Sequence, residues 1–373
     1  MAARRIGVLY GHRLDVGGVE SHVLSLISRA DPNRWRWRIL APTSPSFSER
    51  AVEAGAVVED WAPRHALDAR ALRALIRSVR SAPVDLLHVH DPRALPIAQA
   101  AGAYLRIPLV YTVHLPVGGD GGHPSRRHVY ELAERMLLRA APPARIVHVS
   151  ARALAESPRG STGRRVLVPN GVDLGPAPEA GVRERVRAAL GAPADACVVT
   201  SVARLVPQKG LDLLLEAWAH GRLPGISARL WIAGDGPERS SLEAQMARLG
   251  LRDRVTLLGR REDVPDLLAA ADVFVLASRQ ETTPIALLEA MAAGRACVVT
   301  DVGDCRAMLA DGTAGRVVAP CDVAALAAAV REVVADGALR AQLGRAAQDR
   351  AHLFSDVTMA EQTADVYRTV LAG

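Results

Sequence analysis

Residues 278–299 read SRQETTPIALLEAMAAGRACVV, and the order of residue types in this stretch decides the fold. Just before it, DVFVLAS (272–278) is a continuous apolar run, and RACVVTD (295–301) at its end is another. With the helical apolar pattern PIALLEAMAAG between them, the order is strand, turn, helix, strand. Pro284 in the first helical position, preceded by a threonine able to cap, predicts a helix starting near residue 284. Glu281 then sits on the turn at the carboxyl end of a strand, and Glu289 about a turn and a half into the helix. In an open parallel sheet, that crevice is where ligands bind. The unpaired N–H groups and positive dipole end of the helix would face an anion there.

The same alternation extends in both directions. Strand-like runs ACVVTSVAR, ARLWIAGDG, RVTLLG and GRVV share the second half with helical patterns GLDLLLEAWAHG, ERSSLEAQMARLG and DVPDLLAAA, and three Ala-rich helical segments close the chain. In the first half RIGVLYG, WRWRIL, VDLLHVHD, IPLVYTVH and ARIVHVS read as strands. GVESHVLSLISRA, RALPIAQAAGAYL and SRRHVYELAERMLLRAA read as helices, the first with Val19, Val23, Leu24, Leu26 and Ile27 on one side. Such alternation implies right-handed crossovers and parallel sheets covered on both faces. The Gly- and Pro-rich stretch 175–181 reads as a linker between two halves of like architecture.

Composition narrows the function classes. The length of 373 residues fits two or three domains, and 49% apolar content supports large cores. Four cysteines, at 197, 297, 305 and 321, show neither disulfide nor metal spacing, which predicts a reduced, cytoplasmic compartment. The apolar run 6–10 behind Arg4 and Arg5 is too short for a signal peptide, and no later stretch reaches membrane-spanning length, so a soluble protein is expected. Residues 1–185 carry 26 arginines against 17 acids and the remainder is slightly acidic, yet aromatics are only 3% and no nucleic-acid motif appears. Nucleic acid is therefore not an expected partner. Of the 46 basic residues, 45 are arginine, and the single lysine is Lys209. A lone lysine in such a chain marks a position suited to a compact, flexible ammonium.

Taken together, GGVESH (17–22), YTVHLP (111–116), VPNGVD (168–173), VARLVPQKGLDLLLEAW (202–218), IAGDGPERSSLE (232–243), VTLLG (255–259) and ETTPIALLEAMAAG (281–294) carry a resemblance. Their order and spacing resemble the family-four retaining glycosyltransferases of the GT-B fold, the glycosyltransferase group 1 type, over nearly the whole chain. The resemblance implies an α/β protein with two Rossmann-like domains facing each other across a cleft. Residues 1–178 would form the acceptor-binding domain and 179–354 the nucleotide-sugar-binding domain, with the helix of 355–373 packing back on the first.

The site residues follow from the same resemblance. Arg204 and Lys209, at a strand end and in the turn after it, would clamp the donor diphosphate, where negative charge grows as the sugar leaves. Glu281 would bond hydroxyls of the donor sugar and Glu289 the nucleotide ribose, since carboxylates accept from paired hydroxyls. Backbone groups of Thr282, Thr283, Pro284 and Ile285 would complete the phosphate cradle. The two threonines replace the Gly and aromatic residue usual after the first Glu, which puts the sugar preference in doubt. Gly17 and Gly18, opening the first helix, would let backbone approach a phosphate. Gly234 and Asp235, with Leu258, Gly259 and Arg260, would flank the donor and its base. His114, ending the strand LVYTVH, would lie beside the reactive sugar carbon, and the loop 117–123 would either order over an acceptor or be no more than a mobile turn. Asn170 is expected mainly to fix the turn leaving the first domain.

The implied reaction moves a sugar from a UDP- or GDP-linked donor to a hydroxyl of a glycan, lipid-linked glycan or small metabolite, with retained configuration. No pair of carboxylates is placed for glycosidase chemistry, and front-face substitution is implied instead. No cofactor and no metal are expected, because the Arg204 and Lys209 pair would neutralise the diphosphate. His88, His90 and Asp91 resemble a metal cluster only superficially: His88 and His90 share one face of a strand, but no third spacing supports an ion. A nucleotide-sugar epimerase of the same fold and a non-catalytic nucleotide-sugar-binding subunit are the alternatives. Peripheral contact with the inner face of a membrane is a further one, through Arg126, Arg127, Arg135 and Arg139 beside the apolar stripe of 125–141.

Overall fold

Strand-forming runs of β-branched and aliphatic residues build two separate parallel sheets. The computed structural model describes residues 3–12, 17–114, 143–157, 164–176, 178–221 and 225–373. These divide into one unit made of Met1–Gly171 with Asp356–Gly373, and a second made of Val172–Ser355. The expected acceptor loop 117–123 and basic helix 125–141 lie outside the described residues.

Among the described residues, the first unit holds β1 (Arg4–Leu9), β2 (Trp35–Leu40), β3 (Ala56–Glu59), β4 (Leu86–Val89), β5 (Leu109–Val113), β6 (Arg145–His148) and β7 (Arg165–Leu167). Their order is β3-β2-β1-β4-β5-β6-β7, every pair parallel. Strand order reverses direction between β1 and β4, so the crevice at the carboxyl ends of those two strands is a topological switch point. One face of the sheet is covered by the helix Gly18–Arg29 and the C-terminal helix Asp356–Ala372, which join Val8, Ile39 and Val110 in one core. Tyr367 of that last helix is 1% exposed and sits edge-on to Trp35 and Trp37. Asp356 at its start accepts from Arg29 Nε at 2.8 Å. The opposite face packs on the helices Ala69–Ser81 and Leu95–Leu105 through Leu75, Leu95 and Ala98. Burying each such Leu or Val contributes roughly 1.5–3 kcal/mol.

In the second unit the strands are β8 (Cys197–Val202), β9 (Ala228–Ala233), β10 (Val255–Gly259), β11 (Val273–Leu276), β12 (Ala296–Thr300) and β13 (Arg316–Val318). The order β10-β9-β8-β11-β12-β13 repeats the plan of the first unit, again all parallel among the described residues, with its reversal between β8 and β11. Both β8 and β11 are buried on both faces, which explains why their sequences are nearly unbroken apolar runs.

The chain changes unit at Gly171–Val172, seven residues before the end of the first domain expected at residue 178. Packing explains the position. Gly171 N–H points to Met359 Sδ at 3.2 Å, within the first unit. Val172 instead donates to the Phe354 carbonyl and joins the core of the second unit with Phe274 and Leu287. No described helix is long and apolar enough to cross a membrane.

Candidate functional site

The switch point of the second unit gathers most of the charged residues singled out above. After β8, the turn carrying Arg204 is held by Ala203 N–H on the Ala233 carbonyl and Leu205 N–H on that of Asp235, at 2.9 and 3.0 Å. The Gly234-Asp235-Gly236 turn therefore braces the Arg204 turn. Asp235 is exposed, and its Oδ1 accepts from Gly236 N–H. Gly234 N–H in turn meets the Gly259 carbonyl, just past a register shift at Leu258 that re-aims the end of β10. Arg260 is exposed and pairs with Glu262 at 3.5 Å. The Arg204 side chain is exposed as well, and its guanidinium has no partner among the described residues.

Lys209 ends a short turn, Pro207–Lys209, that is stitched to the turn after β11. Arg279 N–H donates to the Gln208 carbonyl at 2.7 Å, and the Arg279 guanidinium grips both oxygens of Asp212 at 2.7 and 2.6 Å. Gly210 follows with φ +59, and a Cβ there would overlap the Ala277 carbonyl oxygen, so only glycine lets the two turns approach. The result is a nearly buried ion pair. Lys209 Nζ lies 2.7 Å from Glu281 Oε1, with the Glu281 side chain 6% exposed. Ser278 Oγ donates to the same oxygen at 2.7 Å. Glu281 Oε2 has no partner among the described residues.

Thr282 and Thr283 are buried behind this pair. Asp304 N–H donates to the Thr282 carbonyl at 2.8 Å, and Thr283 Oγ1 lies 3.4 Å from Asp304 Oδ2. The helix begins at Ile285, one residue later than expected. Pro284 precedes it with an extended ψ of 119, and no side chain caps it. Neither threonine side chain caps the helix. An uncapped helix start of this kind leaves donors for an anion.

Glu289 lies on that helix between Leu288, Ala290 and Met291, all fully buried. No described side chain bonds its carboxyl, and burial pushes its pKa up to about 7. A carboxyl held near neutrality without a partner is a group prepared for a ligand.

The switch point of the first unit carries a different chemistry. The Asp91 carboxylate accepts from Gly11, Arg93 and Ala94 N–H groups, tying the ends of β1 and β4 to the turn that leads into the helix Leu95–Leu105. Gly17 and Gly18 open the helix Gly18–Arg29, where a Cβ on Gly17 would press on the Glu20 carboxylate. One turn in stands His22, 2% exposed. Its ring meets that of His114 edge-on at 4.8 Å, and its Nδ1 lies 3.0 Å from Asn170 Oδ1. His114 follows β5 and is 8% exposed, with its Nε2 2.9 Å from His90 Nδ1. The His88 ring lies tilted against that of His90, with centroids 4.0 Å apart, and bridges Tyr367 Oη and Thr112 Oγ1, at 2.6 and 2.7 Å. Burial first, and then neighbouring imidazoles, lower the pKa of His88 to about 3 and those of His90 and His114 well below the usual value. Burial lowers His22 to about 4, against the opposing Asn170 bond. All four rings are neutral at physiological pH.

Lys209, Glu281, Thr282, Thr283, Pro284, Ile285 and Glu289 thus lie on two interlocked turns and the helix that follows. Ser278, Arg279, Asp212 and Asp304 complete that framework and were not foreseen. The one sequence signal for Ser278 is its place three residues before Glu281. His22 and His90 were not foreseen as companions of His114, although His22 stands out as an imidazole on the buried face of an otherwise apolar helix.

A model of the group 1 glycosyl transferases matches residues 182–350, and a model of glycosyltransferase family 4 matches residues 16–175. The phosphatidyl-myo-inositol mannosyltransferase of Mycolicibacterium smegmatis is 30% identical over 388 residues, covering 98% of this chain and 94% of that protein. The lipopolysaccharide core biosynthesis glycosyltransferase LpsE of Rhizobium meliloti is 41% identical over 157 residues, 42% of this chain and 45% of that protein. The chain thus spans under half the length of LpsE. Among solved structures, Anabaena Alr3699/HepE in complex with UDP and glucose matches with a TM-score of 0.85 at 23% identity, over 98% of this chain and all of that one, a likeness of fold. Two family models that divide the chain as its two sheets do, and a relative aligned over almost its full length, establish that the chain belongs to the family 4, group 1 glycosyltransferases of the GT-B fold.

Proposed function

We propose that the protein transfers a sugar from a nucleoside-diphosphate sugar to a hydroxyl acceptor with retention of configuration and without a metal. The observation that carries this reading is the Lys209–Glu281 pair at the head of an uncapped helix. Arg204 and Lys209 supply positive charge to the diphosphate, and the N–H groups of Thr282, Thr283 and Ile285, on either side of Pro284, add donors at the positive end of the helix dipole. Glu281 Oε1 is used by Lys209 and Ser278, so Oε2 is the oxygen that accepts from a donor-sugar hydroxyl. Glu289 takes the ribose hydroxyls, while Gly234, Asp235, Leu258, Gly259 and Arg260 border the base. His114 and the Gly17-Gly18 backbone serve the donor from the first unit.

In the proposed step the bond from the anomeric carbon to the phosphate oxygen breaks as the acceptor oxygen bonds to the same face. The acceptor proton passes to the departing diphosphate, so no protein base is consumed. Catalysis then consists of positioning and charge stabilisation. The named activities of the mannosyltransferase and LpsE support a cell-envelope glycan or lipid-linked acceptor, and the UDP and glucose held by HepE support a UDP-linked donor. Lys209→Ala is expected to fold normally and lose about 10²–10³-fold in kcat, the scale of one missing oxyanion donor. Turnover at the wild-type rate, or a product of inverted anomeric configuration by NMR, would overturn the reading.

A further inference from the structure

We propose that His22, His90 and His114 form a binding site for a borderline transition-metal cation, with Zn²⁺ the best chemical match. One nitrogen of each ring lies within 4.8 Å of one nitrogen of each of the others. Ligand nitrogens around a tetrahedral zinc stand about 3.3 Å apart, given Zn–N bonds of about 2.0–2.1 Å. His90 and His114 already approach to 2.9 Å, so small ring movements close the site.

Two further observations favour a ligand over plain packing. The Asn170 carbonyl oxygen against His22 Nδ1 directs that ring's proton outward and leaves Nε2 as the lone-pair nitrogen, the arrangement outer partners impose on metal-bound imidazoles. The three residues also come from separate, well-packed places: the helix Gly18–Arg29 and the ends of β4 and β5. Asp91 is not a ligand, because backbone N–H groups already occupy its carboxylate. An all-imidazole set selects Zn²⁺, Cu²⁺ or Ni²⁺ over Mg²⁺ or Ca²⁺, and three protein ligands leave a fourth position open. Along the chain, spacings of 68 and 24 residues hide the site from any motif search.

An occupied site withdraws the His114 nitrogen from the donor role proposed above, so zinc would act against transfer. That consequence rests on the proposed function, whereas metal binding does not, and the two fail separately. The test is equilibrium dialysis of tag-free, chelator-stripped full-length protein against Zn²⁺, with Mg²⁺ as control and elemental analysis as readout. One zinc per chain is expected, with affinity lowered at least about tenfold in His22→Ala, His90→Ala and Asn170→Ala. The surface pair His220→Ala, His352→Ala should retain it. No zinc in the unaltered protein, or zinc undiminished when His22 and His90 are both replaced, overturns the proposal. Cobalt binding to the unaltered protein decides independently of how the variants fold: intense visible bands of a four-coordinate ion support the site, and the weak spectrum of a six-coordinate one refutes it.

Discussion

At the scale of single residues, Glu289 is where burial and function pull in opposite directions. Its apolar neighbours raise its pKa to about 7, so the folded chain keeps a proton that the unfolded chain has released. The contribution of this group to stability therefore falls as pH rises from about 4.5 through about 7. Donor binding has the opposite dependence. Ribose hydroxyls donate best to the ionised carboxylate, so the donor KM is expected to rise about tenfold per pH unit below about 7. Glu289→Gln should flatten that dependence while weakening binding at alkaline pH. A wild-type donor KM constant from about pH 5.5 to about pH 8 would contradict the ribose role. Lys209 and Glu281 were legible in the sequence because one is the only lysine and the other stands at a strand-to-helix turn. Ser278 was not, because nothing in a lone serine announces that it shares an oxygen with an ammonium. The histidine cluster escaped for a different reason: its members are neighbours only after three crossovers bring their strand and helix ends together.

At the scale of elements, the site depends on turns that glycine alone allows to touch. Gly303 has φ +53, and a Cβ there would overlap the Thr282 carbonyl oxygen behind the Glu281 turn. Gly312 also has positive φ, at +97, but open space around it. Both alanine variants incur the backbone term of about 1 kcal/mol. Gly303→Ala alone adds displacement of the turn, and is expected to lower the denaturation midpoint further and to raise the donor KM. Equal losses in denaturant titration and unchanged KM for both variants would show that the close approach is immaterial. Elements of the second unit were legible because doubly buried parallel strands leave uninterrupted apolar runs bounded by Gly and Pro. The first unit was less so. β3 is only AVVE, and the helix Ala69–Ser81 hides its apolar stripe among arginines that face solvent. Even the best-read helix began one residue late, since the sequence cannot show that Pro284 keeps an extended ψ of 119 and stays outside the helix.

At the scale of the whole molecule, the chain passes between units only at Gly171–Val172 and Ser355–Asp356, and each unit has its own core. The sequence placed the first passage in the Gly- and Pro-rich stretch because flexibility is visible in composition, whereas the hold of Met359 on Gly171 is visible only in packing. Two cores predict two unfolding transitions, which makes the location of ligand contacts measurable. Arg204, Lys209 and Glu289, proposed for the diphosphate and ribose, all lie in the second unit, and His114 in the first. Bound ligand stabilises whatever it contacts by RT ln(1 + [L]/Kd), about 2.7 kcal/mol at a hundredfold excess over Kd. In a calorimetric panel of UDP-, GDP-, ADP- and TDP-sugars, one base is therefore expected to raise the transition of the second unit most. The matching nucleoside diphosphate without its sugar should reproduce that rise, and Glu289→Gln should diminish it. If no nucleotide shifts the second unit while the first responds, the diphosphate site has been placed on the wrong sheet.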